Sequence, residues 1–87
     1  MRIWFKQWKD SRMVRDLVIE DNSDETRTHK VFGALDQACY DMDLGRPLWL
    51  DVTVRDFKRQ AKARFTKDCF MEEVSFDYLE IDVIEED

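Results

Sequence analysis

Between Val31 and Met42 the apolar residues recur at helical spacing. Val31, Phe32, Leu35, Ala38, Cys39 and Met42 fall on one stripe, with Asp36, Gln37 and Asp41 on the opposite side. No other stretch restricts the fold as strongly, because such a stripe must bury its face against a second layer. The helix is expected to open within 21–25, where Asn22 or Ser23 can accept the first free backbone N–H groups. Asn22 and Glu25 have capping-box spacing, and Asp24 and Glu25 suit the positive end of the helix dipole. Gly45 is expected to end the helix, and Pro47 to prevent its resumption.

The rest of the chain supplies that second layer. Residues 2–8 alternate, with Ile3 and Phe5 on one side and Trp4 and Trp8 on the other, and read as a strand covered on both faces. Lys9-Asp10-Ser11-Arg12 is a polar turn, and residues 13–20 form the return strand of a hairpin. Residues 48–52 read as a short strand. Thr53, with Asp56 as capping-box partner, then opens a short basic helix with the stripe Val54, Phe57, Ala61 and Phe65. Residues 76–86 close the chain as a strand, with a bulge expected near Tyr78, where the apolar parity changes. The fold class is therefore α+β in a single domain spanning 1–87. It comprises an N-terminal β-hairpin, one amphipathic helix, a short strand, a short basic helix and a C-terminal strand. This order is similar to a β-grasp (ubiquitin-like) arrangement, a small sheet packed on a helix. An open α+β sandwich of another order is the alternative.

Composition narrows the function classes. Hydrophobic residues at 44% and aromatics at 13% exclude a disordered tail. The longest apolar runs are three residues, so no membrane-spanning segment is expected. A chain this short buries roughly 60% of its unfolded surface, with an expected unfolding free energy of about 4–13 kcal/mol. Such a core has little spare volume for a catalytic cavity, which leans the reading towards binding or assembly.

Charge is strongly segregated. Residues 51–67 carry six basic and two acidic side chains, a net +4, whereas residues 68–87 carry nine acidic and none basic. The whole chain is at −6, which argues against non-specific attraction to phosphate backbones. On a continuous helix, Arg55, Lys58, Arg59 and Lys62, with Arg64 beyond, form a cationic stripe suited to an anionic protein or to phosphate. The competing reading is a solvated surface whose cations pair with the acidic C-terminal strand. That strand's acids alternate with core residues and include no glycine turn, so they read as a solvent face and not as a calcium loop.

Nothing in the sequence meets a catalytic, cofactor or metal pattern. Cys39 and Cys69 lie thirty positions apart without a tight pair, and His29 is the single histidine. Cys39, on the apolar stripe, reads as a small hydrophobe. Lys6, Lys9 and Asp10 interrupt any signal-peptide core, so a reducing, cytoplasmic setting with free thiols is expected. Trp4, Trp8 and Trp49 are a heavy aromatic load for so thin a domain; core packing is the default, and an exposed interface anchor is the alternative.

The stretches RTHKVFGALDQACY and FDYLEIDVIEED resemble a family of short acidic bacterial proteins of unknown function. The resemblance implies a bacterial cytoplasmic setting and no reaction. The function expected from the sequence is a non-enzymatic interaction or self-association module, whose partner is another protein or a second copy. The alternative is nucleic-acid or phosphate-ligand binding through residues 55–67.

Overall fold

A computed structural model describes residues 1–87. It is an α+β fold: β1 (Arg2–Lys9), β2 (Arg12–Glu20), α1 (Arg27–Asp41), α2 (Asp51–Gln60), β3 (Lys62–Thr66), a 3₁₀ turn at Lys67–Cys69, and β4 (Tyr78–Glu85). The strands form one antiparallel sheet in the order β2-β1-β4-β3. No helix is long and apolar enough to cross a membrane.

The hairpin follows from a two-residue turn. Asp10 and Ser11 both adopt positive φ, at 51° and 64°, the requirement of a type I′ turn whose twist matches the strands. Opposite Trp8 the β2 register slips, leaving Val14 as an extra residue and bending this edge strand. A second irregularity falls at Ile84, between the pairs Arg2–Glu85 and Ile3–Val83, and not near Tyr78 as expected.

One face of the sheet carries Ile3, Phe5, Ala63, Phe65, Leu79 and Ile81, all buried with Val31, Ala34, Leu35 and Ala38 of α1 and Phe57 of α2. The expected stripe on α1 is largely present, but Phe32 lies at its margin and is 45% exposed. The helix also starts later than its acidic approach suggests. Asp21 and Ser23 use their side-chain oxygens on the backbone N–H groups of Ser23 and Glu25, a local turn that competes with capping. Thr26 is the cap, its hydroxyl accepting from the His29 N–H. At the other end Asp43, at φ 57°, takes the left-handed position expected of Gly45. The Leu44 N–H reaches the Cys39 carbonyl and the Asp43 N–H reaches that of Tyr40, a complete Schellman closure. Arg15 on β2 donates to the carbonyl oxygens of Asp41 and Met42, satisfying two more.

Two expected elements are replaced. Residues 48–50 are not a strand: they run extended over the helical side of the sheet, with one backbone bond from the Leu48 N–H to the Cys69 carbonyl. Thr53 is not a cap but a buried residue inside α2, its hydroxyl donating to the Arg64 carbonyl at 3.5 Å. The basic helix stops at Gln60, and residues 62–66 form β3, so the β-grasp-like order is not kept. Ala61 ends α2 at φ 56°, a conformation costly for a residue with a Cβ and no polar side chain. Ala61→Gly is therefore expected to stabilise the fold by about 0.5–1 kcal/mol, read as a raised denaturant midpoint at unchanged slope.

The two ends of the chain meet. Asp87 accepts from the buried Lys30 ammonium at 2.6 Å and from the Met1 ammonium at 2.8 Å. These bonds hold the Asp87 carboxyl below its ordinary pKa.

Candidate functional site

The helical side carries a groove of about 270 Å³ between α1 and α2, lined by Arg27, Thr28, Val31, Phe32, Trp49, Val54, Phe57 and Lys58. Trp49 organises it. The extended 48–50 segment carries its ring edge-on against Phe32, Phe57 and Phe65, with centroids 6.1, 5.4 and 4.8 Å away. Its indole N–H is buried without a hydrogen-bond partner. Cations stand at the rim. The Arg27 guanidinium lies 5.3 Å from the Phe57 centroid and is bound to both Glu86 carboxylate oxygens, at 3.0 and 3.1 Å. Those bonds raise the Arg27 pKa, and the same pairing lowers that of Glu86. Lys58 closes the opposite wall, and Arg55 and Arg59 continue from it in an adjoining shallow depression. Their nearest carboxylate, Asp56, stands 4.0 and 3.7 Å away, a solvent-screened contact worth little.

The five cations grouped by the sequence therefore separate. Arg55, Lys58 and Arg59 share the α2 surface, whereas Lys62 and Arg64 point to the other face of the sheet, because β3 alternates them with the buried Ala63 and Phe65. None of the α2 cations pairs with the acidic C-terminal strand. That strand, β4, is interior to the sheet, and its acids are met by Lys6, Lys62 and Arg2 instead.

The three tryptophans separate as well. Trp49 belongs to the helical side; Trp4 and Trp8 stand on the face turned away from the helices. The strand registers align that face in three rows: Val18-Trp4-Asp82-Lys62, Asp16-Lys6-Glu80-Arg64, and Met13-Trp8-Tyr78-Thr66. Lys6 is central. Its ammonium is 3.0 Å from Glu80 and 3.2 Å from Asp82, and it lies 3.9 Å from the Trp4 ring centroid. Burial opposes its charge, but the bonds to the two carboxylates outweigh this and raise its pKa. The Trp4 indole donates to Asp16 at 2.8 Å, and the Trp8 indole to Glu80 at 3.3 Å. Trp8 stacks on Tyr78, which the Arg64 guanidinium covers at 4.5 Å.

Sequence reasoning missed Arg27 and Phe32 as parts of a groove, and Lys6, Glu80 and Tyr78 as one network. Strand parity put Trp4 and Trp8 on one face, which Lys6 shares; their pairing with Tyr78 and Glu80 needed the register. Cys39, Cys69 and His29 are the remaining candidates, and both thiols are buried. Burial, then the nearby Asp36 and Glu72 charges, push the Cys39 thiol up to about 11. His29 is exposed and its Nδ1 faces Glu25 at 3.0 Å. No three His, Cys, Asp or Glu side chains converge as metal ligands. No protein-family model matches the chain, and neither a curated protein nor a solved structure matches it.

Proposed function

We propose that the protein is a non-enzymatic interaction module that docks an acidic segment of another protein, apolar side chain first, into the groove between α1 and α2. One observation carries this reading: an aromatic floor open at the surface, bounded by Arg27 and Lys58 and continued by Arg55 and Arg59. Aromatic floors reward a buried anchor, and cationic rims steer an acidic chain towards it. The lining is mainly apolar and cationic, with no carboxylate, imidazole or thiol, which supports reading it as a docking surface. A reducing, cytoplasmic setting belongs to the same reading, supported by two free, buried cysteines.

The reading as a nucleic-acid binder has weaker support, since it relied on five cations on one face.

A fluorescein-labelled peptide with a Leu-Phe pair flanked by glutamates tests the proposal by polarisation. Saturable binding is expected, weakened at least about tenfold by Lys58→Glu, or by exchanging the peptide's Leu-Phe for serines. Equal binding to wild type and Lys58→Glu, or none at all, overturns it.

A further inference from the structure

We infer that the sheet face opposite the helices is a self-complementary surface that pairs two copies of this chain face to face. The central row runs Asp16, Lys6, Glu80, Arg64 across the four strands, alternating negative and positive. A two-fold axis lying in the interface, parallel to the strands and between β1 and β4, reverses that row in the second copy. Asp16 then faces Arg64 of the other copy, and Lys6 faces its Glu80, so every charge of this row meets its opposite. The same operation lays Trp8 over Tyr78 and Trp4 over Asp82. Aligned sheet packing, with strand directions within about 30° and sheets about 10 Å apart, accommodates this arrangement.

The usual objection to closing ionised side chains inside an interface is the cost of drying them. Here most of that drying has occurred within the single chain. Lys6 is 6% exposed and Glu80 7%, enclosed by their own neighbours on an otherwise uncovered face. What remains open is mostly apolar or peripheral: Met13 and Val18 are 43% and 42% exposed, Asp16, Lys62 and Arg64 lie on the edge strands, and of the interior charges Asp82 keeps about 20% of its side chain open.

Three strands about 27–31 Å long and β3 at about 17 Å, spaced about 4.8 Å apart, give a footprint of roughly 500 Å² per copy. That lies at the low end for specific association, so the dimer is weak, with Kd roughly 10–500 µM. A second copy fits this face better than single-stranded nucleic acid does. Its cations are already engaged by Glu80, Asp82 and Tyr78, so a phosphate chain would run over carboxylates. The inference is independent of the groove reading, which concerns the opposite side of the sheet.

Sedimentation equilibrium on wild type, Asp16→Arg, Arg64→Asp and an equimolar mixture of the two variants is the test. Wild type is expected to dimerise, more weakly as salt rises from about 0.05 to 0.5 M. Each variant alone sets like charges opposite each other twice and should lose at least about tenfold in association. The mixture restores both pairs and should dimerise again, which also shows that both variants are folded. The inference is overturned if wild type stays monomeric at about 1 mM, if both variants dimerise like wild type, or if the mixture fails to recover. A monomeric wild type that instead retains a labelled oligothymidine, and loses it on Trp4→Ala, would assign the face to nucleic acid.

Discussion

Lys6→Met should destabilise the protein by about 2–4 kcal/mol at neutral pH, among the largest effects of any single substitution that keeps the side chain's volume. The methionine keeps the apolar stem against Trp4 but removes the charge that stands between Glu80 and Asp82. Glu80 is then nearly enclosed, with Lys62 at 3.9 Å as its remaining ion pair and the Trp8 indole as a neutral donor. Adding Glu80→Met should recover part of the loss, because the more enclosed carboxylate then leaves with its cation, while Asp82, about 20% exposed, stays solvated.

The pH dependence has a definite sign. The folded pKa of Lys6 is raised above its ordinary 10.5, so its contribution is complete below about that pH and lost as pH rises through the folded value. Wild type should therefore lose stability at alkaline pH more steeply than Lys6→Met. On the acid side the deficit of the variant should shrink as the two stranded carboxylates take up protons. Urea titrations at pH 5, 7 and about 11.5 decide this; a variant as stable as wild type at all three would show that the Lys6 network contributes nothing.

Phe65→Ala should cost about 3–5 kcal/mol. The ring is 0% exposed, pairs with Leu79 across to β4, and meets Trp49 edge-on. Against an expected total of about 4–13 kcal/mol, that loss leaves the variant marginal or unfolded at 37 °C. Arg64→Ala, one residue away on the opposite face, should cost less than about 1 kcal/mol. That contrast between neighbours is the signature of a strand; comparable losses at both positions would contradict β3. Denaturant midpoints of the two variants make the comparison.

If the face-to-face dimer forms, both helical layers lie outside it. Each assembly then presents two grooves, so a partner with two acidic segments gains avidity without any new contact.

How far the sequence reaches can be judged from particular residues. The α1 stripe, the hairpin and the inward set Leu79, Ile81 and Val83 were legible because each repeats a local period several times over. Local period failed at 61–66. Val54, Phe57, Ala61 and Phe65 satisfy a helical spacing, yet Lys62-Ala63-Arg64-Phe65-Thr66 alternates equally well as a strand. Both patterns place Phe65 inside, so Phe65 could not discriminate between them. The edge of β4 decided the matter, since its backbone groups needed a partner that only residues 62–66 could supply. That choice forced Ala61 into a left-handed turn and sent Lys62 and Arg64 away from Arg55, Lys58 and Arg59.

The tryptophans follow the same logic. Their number and the strand parity of Trp4 and Trp8 were plain in the chain, because side-chain direction along a strand is a property of consecutive residues. Their neighbours were not. Trp49 lies among Phe32, Phe57 and Phe65, and Lys6 lies between Glu80 and Asp82, through contacts between residues far apart in the chain. The amino-acid sequence by itself determined the α+β class, the amphipathic helix, the side-chain parity of two strands and the separation of charge along the chain. Only tertiary structure decided which cations share a surface and which stand opposite carboxylates, because strand register and helix docking set those distances.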